Sequence, residues 1–318
     1  MNKRVYGVLG IRSIMANWNA DFTGYPKTIS TGEVFGSDKA LKYPMKKMWQ
    51  EQGKKVLYIK SYTPSEDKKT KEINIIPRLL KERYEQIFDC KDLSAEKDNK
   101  AIIQNLFKAI DVKNFGATFA EAGKNFSIIG AVQIGQGFNK YEGTEAQEQP
   151  ILSPFRTKKD EQKEKEEEAK NSSIGTKIVS NEAHYFYPFV INPKAYEEYI
   201  QLGLTEGYTE EDYGAFKEAA LMGATSYSSN SKMGCENEFA IFIETDEELY
   251  LPDLSQYIGF YKENGKEQIY LGFVDLLEKL QDKIQNIEVY YNPFKTTLAN
   301  QITGAQYYNI FTKEEISL

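Results

Sequence analysis

The chain has 318 residues, 41% of them hydrophobic and 13% aromatic, which is enough to bury a large core and too apolar for a disordered chain. Its net charge is −7, and its two cysteines, Cys90 and Cys235, belong to no paired spacing, which excludes a disulfide scaffold and a cysteine zinc site. No signal-peptide core follows Met1 and no apolar run is long enough to span a membrane, so a cytoplasmic chain without membrane partners is expected.

The net charge hides an asymmetry. Residues 1–62 carry eleven Lys and Arg against four acids, a balance of +7, whereas residues 195–318 carry eight against twenty-two, a balance of −14. The basic end is a candidate anion-binding face, and opposed ends of this kind suit head-to-tail contact between neighbouring copies.

Arg4–Ile14 is rich in Val, Leu, Ile and Tyr and reads as a strand buried on both faces. Met15–Phe35, with Asn17, Asn19, Asp21, Gly24, Pro26 and Gly32, predicts a long loop. Ser37 then offers an N-cap, and Ala40, Leu41, Met45, Met48 and Trp49 recur at helical spacing up to Gly53, with a bend expected at Pro44. Val56–Tyr62 predicts a second strand. Ile73–Phe88, starting near Pro77, and Asp98–Ile110 predict two helices, and Phe115–Ala120 with Ser127–Gly137 predicts a β-hairpin turning at Ala122-Gly123-Lys124-Asn125. Residues 139–176 are the least regular stretch, and Lys158–Lys170 within them is almost entirely Lys, Glu and Asp, which predicts a mobile charged insertion. Beyond it, His184–Ile191, Phe239–Glu244, Gln268–Leu271 and Ile287–Tyr291 predict strands, and Tyr196–Leu202, Glu210–Met222 and Val274–Ile284 predict helices. The alternation lacks the regular spacing of βαβ units. It indicates an α+β fold, a mostly antiparallel sheet covered by helices, in a single domain over residues 1–318.

Signatures of catalysis are scarce. The only histidine, His184, lies in the aromatic run His184–Phe189 and predicts a hydrogen-bonded core residue rather than a nucleophile's base. No His/Cys cluster has metal-ligand spacing, so neither a metal nor a cofactor is expected. Gly130–Gln136 has phosphate-loop glycine spacing but puts Gln where Lys is needed, and Gly135-Gln136-Gly137 fits a bulge or a close approach of two chain segments. Asp21 sits in a loop beyond a core strand, where catalytic groups are often displayed, although an Asx-turn is the commoner role there.

Two features fit RNA. Lys39, Lys42 and Lys46 share one face of the predicted helix, opposite Leu41, Met45 and Met48, and the preceding loop adds Trp18, Phe22, Tyr25 and Lys27. Stacking aromatics beside cations are what sequence-tolerant binding of single strands requires. Phe115-Gly116-Ala117-Thr118-Phe119 is similar to the aromatic strand of RNA-recognition domains, with packing the commoner role for both phenylalanines.

Taken in order, Gly7–Ile14, Asn17–Phe22, Phe35–Pro44, Phe115–Phe119, Gly130–Gln133, His184–Pro193 and Ser228–Gly234 resemble the blocks of the CRISPR Cascade backbone family, Cas seven, in its type I-B (Csh-two) form, a branch of the RAMP superfamily. The resemblance covers nearly the whole chain. It implies an RNA-recognition-like (ferredoxin-like) palm with finger and thumb insertions, repeated along a guide RNA in a non-catalytic role. By the same resemblance, Lys39, Lys42 and Lys46 touch the guide backbone, and Asn17, Asn19, Lys27, Gln133, Ser231 and Lys232 help to hold it. The implied partners are crRNA, target DNA, further copies of the chain and other Cascade subunits, with residues 139–176 reaching a neighbour or the DNA. In relatives from type III systems an acid in the loop after the first strand helps to cleave target RNA, which makes Asp21 the enzyme alternative.

Overall fold

The computed structural model describes residues 1–152, 173–263 and 265–317. The chain opens with strand β1 (Arg4–Ala16), a short β2 (Phe35–Gly36) and helix α1 (Asp38–Glu51). A hairpin of β3 (Tyr62–Glu66) and β4 (Ile73–Pro77) leads to α2 (Leu80–Phe88), α3 (Asn99–Lys108) and α4 (Ile110–Phe115). A second hairpin, β5 (Gly116–Glu121) and β6 (Lys124–Ile129), precedes β7 (Val132–Ile134), β8 (Gly137–Asn139), β9 (Ala146–Leu152) and the long β10 (Ser173–Ile191). Helices α5 (Glu197–Gln201) and α6 (Glu210–Ser226) are followed by β11 (Cys235–Thr245), β12 (Ile258–Glu263), β13 (Lys266–Leu271), α7 (Val274–Lys279), β14 (Ile284–Tyr291), β15 (Thr296–Leu298) and β16 (Gln306–Asn309). The fold is mixed α+β, and no helix among the described residues is long and apolar enough to cross a membrane.

The main sheet runs β16-β14-β11-β1-β10, with β7, β8 and β9 all pairing with β10 along its outer side. Strand β1 is antiparallel to both neighbours, and its buried residues alternate between two cores. Val5, Leu9 and Ile11 pack with Leu41, Met45 and Trp49 of α1 and Phe216, Ala219 and Ala220 of α6. Tyr6 and Val8 face the opposite way, onto Phe260, Ile269, Leu271 and Leu277 of a smaller layer made by β12, β13, β15 and α7. This double coverage explains the unbroken apolar run that opens the sequence.

Both long helices start where their sequences provide caps. Ser37 Oγ accepts from Ala40 N at 3.3 Å, and Thr209 with Asp212 forms a capping box at the head of α6. Between β7 and β8 the chain passes so close to β10 that a Cβ on Gly135 would lie 2.7 Å from Pro188 and one on Gly137 2.4 Å from the Tyr187 ring. The glycines at 135 and 137 therefore serve a close approach and no phosphate.

Several sequence expectations are corrected. Val56–Tyr62 is not a strand: Asp111 accepts from Leu57 N at 2.8 Å and Tyr58 N at 2.7 Å, so a buried side chain replaces a ladder partner. Ile73–Pro77, read with the helix that follows, is strand β4, and the helix begins at Leu80, close to the start expected near Pro77. The flanks of the 139–176 stretch are ordered as β9 paired with the first half of β10, so that stretch is not wholly irregular. The Lys158–Lys170 tract lies outside the described residues. Packing, the commoner role expected of Phe115 and Phe119, is the one they have: Phe119 is buried against Tyr84, and Phe115 lies 5.6 Å from Trp49.

Candidate nucleic-acid interface

The loop between β1 and α1 is folded back on itself and pinned from both sides. Trp18 is buried and donates through Nε1 to Tyr187 Oη at 2.5 Å. Asn17 Nδ2 donates to the carbonyls of Gly24 and Ile178, and Asn17 N to that of Ser231. Asn19 Oδ1 accepts from Ser37 N at 2.7 Å, joining the loop to the cap of α1. Lys232 donates through Nζ to the Asn17 carbonyl at 2.6 Å and to that of Trp18, and burial lowers its pKa. The loop, the first turn of α1 and the 227–234 turn are thereby one surface.

Asn17, Asn19, Lys27, Lys39, Ser231 and Lys232 are brought together on this surface. Within it Asn17 Nδ2, Asn19 Oδ1 and Lys232 Nζ tie the loop to itself and to its neighbours, which makes these residues its braces, while Asn17 Oδ1 is buried without a partner among the described residues. The exposed groups are Phe22, Lys39 and Ser231, with Lys27 half-buried beside Phe35, its ammonium 5.6 Å from that ring. A Cβ on Gly36 would lie 1.8 Å from Tyr187 Oη and 2.8 Å from the Trp18 ring. Gly36→Ala should therefore break the Trp18 anchor at a cost of about 1–3 kcal/mol, visible as a lower unfolding midpoint and faster proteolysis within residues 17–35. An unchanged midpoint would show the anchor to be dispensable.

The lysine stripe on α1 is not uniformly solvated. Lys39 is exposed and its side chain has no ion-pair or hydrogen-bond partner among the described residues. Lys42 instead pairs with Asp38 at 2.8 Å and lies 5.1 Å from the Phe115 ring. Lys46 donates to the Tyr58 carbonyl at 2.9 Å, and burial lowers its pKa. Helical spacing correctly places the three on one face. It says nothing of what covers that face, which here comes from residues 55–60 and 110–115, distant in sequence.

Gln133 is not part of this surface. On β7 it sits opposite Val190, on the sheet face away from α1, and borders a cavity of about 320 Å³ lined by Tyr6, Ile134, Pro188, Val190 and Leu251. Asp21 is exposed, and its Oδ1 accepts from Thr23 N, Thr23 Oγ1 and Tyr25 N, bonds that lower its pKa. That is an Asx-turn.

The opposed charges of the two chain ends meet within the molecule, because β1 pairs with β11. Lys3 bridges to Glu244 at 2.9 Å, and Arg12 pairs with Glu236 and, at 3.6 Å, Glu267. His184 is fully buried in the same region, with Nδ1 2.8 Å from Glu238, Nε2 3.1 Å from Glu182, and Phe260 stacked on its ring at 3.7 Å. The partner register slips at Gly10/Ile11, and the resulting bulge leaves Glu238 unopposed and turned onto the imidazole. Burial works to lower the His184 pKa, but Glu238, Glu182 and Glu267 outweigh it and raise it to about 9. The His184 hydrogen bond and Lys262 in turn hold Glu182 at about 2. Glu182, His184 and Glu267 present ligand-type atoms within 4.8 Å of one another. An imidazolium with both N–H groups given to carboxylates has no lone pair for a metal, so the cluster acts as an ion network, the core histidine the sequence suggested.

The architecture is an α+β chain that projects a braced loop and hairpins from a doubly covered, mostly antiparallel sheet. The chain is a member of the Cas7 family: the family described as CRISPR-associated protein Cas7 matches residues 3–270. A chain in a solved structure titled "CRISPR RNA-guided surveillance complex, pre-nicking" has a similar fold, with a TM-score of 0.51 and 14% identity over 96% of both chains. No curated protein matches this sequence.

Proposed function

We propose that this Cas7-family chain is the non-catalytic, guide-RNA-binding backbone subunit of a type I-B Cascade, repeated along crRNA in the cytoplasm as part of antiviral defence. Its other partners would be target DNA and the remaining Cascade subunits. The observation that carries this reading is the braced surface of the 17–35 loop and the α1 terminus, which exposes Phe22, Lys39 and Ser231 with the half-buried Lys27 beside them. An RNA-recognition-like palm is supported by the order β11-β1-β10-β7/β8, with α1 and α6 packed on one face. Such an order is the one expected of the split βαβ arrangement of ferredoxin-like folds. A non-catalytic role is supported by the Asx-turn that occupies Asp21.

Single-stranded RNA binding, followed as log affinity against log salt, tests the proposal. Lys27→Ala with Lys39→Ala should flatten the slope by about 1.4, at roughly 0.7 per phosphate. Lys46→Ala should leave the slope unchanged, since its ammonium is held by Tyr58. An unchanged slope in the folded Lys27/Lys39 variant would place the RNA elsewhere. Metal-dependent RNA cleavage abolished by Asp21→Ala would replace the scaffold reading with a nuclease.

A further inference from the structure

The turn after β16 carries a lysine that no carboxylate holds. Asn309 Oδ1 accepts from Phe311 N at 2.9 Å and Thr312 N at 3.3 Å, and Lys313 N donates back to the Asn309 carbonyl at 2.9 Å. Ile316 N then donates to the Tyr307 carbonyl at 2.8 Å, so the turn is closed from both sides. Lys313 sits within it at φ +62°, a left-handed conformation that a residue with a Cβ seldom adopts. Held there, its side chain folds back over the turn. Nζ donates to the Ile310 carbonyl and lies 5.8 Å from the centre of the Tyr290 ring.

A second ammonium occupies the same ring. Lys217 of α6 lies 5.5 Å from Tyr290 and pairs with Glu288 of β14. That carboxylate also accepts from Tyr290 Oη at 3.1 Å and from Asn286 Nδ2 at 3.4 Å, so it is already committed. Tyr308 of β16 stacks on Tyr290 at 5.0 Å. Glu218, the next residue of α6, accepts from Gln52 at 3.1 Å. Among the described residues no ion pair joins Lys313 to Glu218, Glu288, Glu314 or Glu315. An ammonium partly stripped of water, with a like charge beside it and no carboxylate against it, gives up its proton readily. Partial burial, with Lys217, lowers the Lys313 pKa from 10.5 to about 8, against the opposing pull of Glu218. The residue is nonetheless exposed, so a reagent can reach it.

We propose that Lys313 is a site of acylation, its free amine attacking the carbonyl carbon of an activated acyl group, either an acyl thioester or an acyl phosphate. The N–C bond forms as the C–S or C–O bond breaks. The thiolate or phosphate leaves with the electron pair, and the surplus proton on nitrogen passes to water. The product amide is neutral, so modification removes the Lys313 cation from the Tyr290 ring. No residue of the 17–35 loop or α1 takes part, and the inference is independent of the nucleic-acid reading.

Full-length protein is incubated with acetyl-CoA or with acetyl phosphate at pH 7.5, and the acetyl occupancy of each lysine is followed by peptide mass spectrometry. Lys39, Lys68 and Lys69, exposed and without this surround, serve as internal references. The lowered pKa supplies roughly 200-fold more free amine at that pH. Nucleophilicity falls with basicity, at a Brønsted coefficient of about 0.5, which leaves a net advantage of about tenfold. Lys313 should therefore lead the references by about tenfold, and its rate should level off once pH passes about 8. Lys217→Ala, which removes the like charge and frees Glu288, should slow Lys313 and leave Lys68 and Lys69 unchanged. Lys313→Arg should abolish this label and keep the parent's unfolding midpoint. The donor that labels identifies the acyl source. A Lys313 rate no greater than that of Lys68 and Lys69 with both donors overturns the proposal, as does a rate in the parent that climbs to pH 10 without levelling off.

Discussion

Replacing Glu238 with glutamine should lower the unfolding free energy by roughly 3 kcal/mol, because removing one partner of a buried ion pair strands the other charge. His184 is fully buried, and its second carboxylate, Glu182, is shared with Lys262. The same network predicts a pH dependence. The folded-state pKa of His184, about 9, stands above its ordinary value of 6.5. The contribution is therefore complete below pH 6.5 and is lost as pH rises through about 9, when the folded protein must release the proton. Chemical denaturation at pH 6.5, 8 and 9.5 should show a declining unfolding free energy in the parent and a shallower decline in Glu238→Gln. A flat profile in the parent would mean that His184 is neutral in the fold and that the network is not ionic.

Asp111→Ala should cost roughly 2–5 kcal/mol, since each buried donor left unpaired costs about 1–3 kcal/mol and this carboxylate serves two. Leu57 N and Tyr58 N both end on it, in a segment with no strand partner. Burial raises the Asp111 pKa, partly offset by those two bonds and by Lys46. Asp111→Asn, which keeps one acceptor and removes the buried charge, should therefore be much milder than Asp111→Ala. The effect should extend to function, because Tyr58 lies on the segment that Asp111 orders and its carbonyl accepts from Lys46 of α1. Equal stability of the alanine and asparagine variants would show that hydrogen bonding by this side chain is not what orders residues 55–60.

Local pattern was sufficient wherever an element's own residues carry the signal. The apolar run of β1, the Ser37 cap of α1 and the glycine turn of the β5–β6 hairpin were all legible, since each depends on neighbours in sequence. The α1 stripe shows the limit. Spacing put Lys39, Lys42 and Lys46 on one face, but only the arrival of Tyr58 and Phe115 turned two of them inward and left Lys39 free. Gln133, which the resemblance implied would hold the guide from beside the β-hairpin, lies on the sheet face away from α1, because its outlook is set by its pairing with Val190. Lys232 was expected on RNA and is a brace of the loop, a role fixed by a contact more than two hundred residues away.

The β3–β4 hairpin was missed for a related reason. Ile73, Ile75 and Pro77 alternate at a strand's period, and Tyr62, Pro64 and Glu66 match them, but the run is short and merges into the helix that follows. By itself the sequence determined the α+β class, the principal strands and helices, and the segment that carries the candidate surface. It could do so because periodicity and capping are local. Tertiary structure decided which cations remain free for a ligand, and which carboxylates are consumed by Arg12, His184 and Lys3. Those outcomes depend on strand order, and only the pairing of β1 with both β10 and β11 brings the opposite charges of distant chain segments within bonding distance.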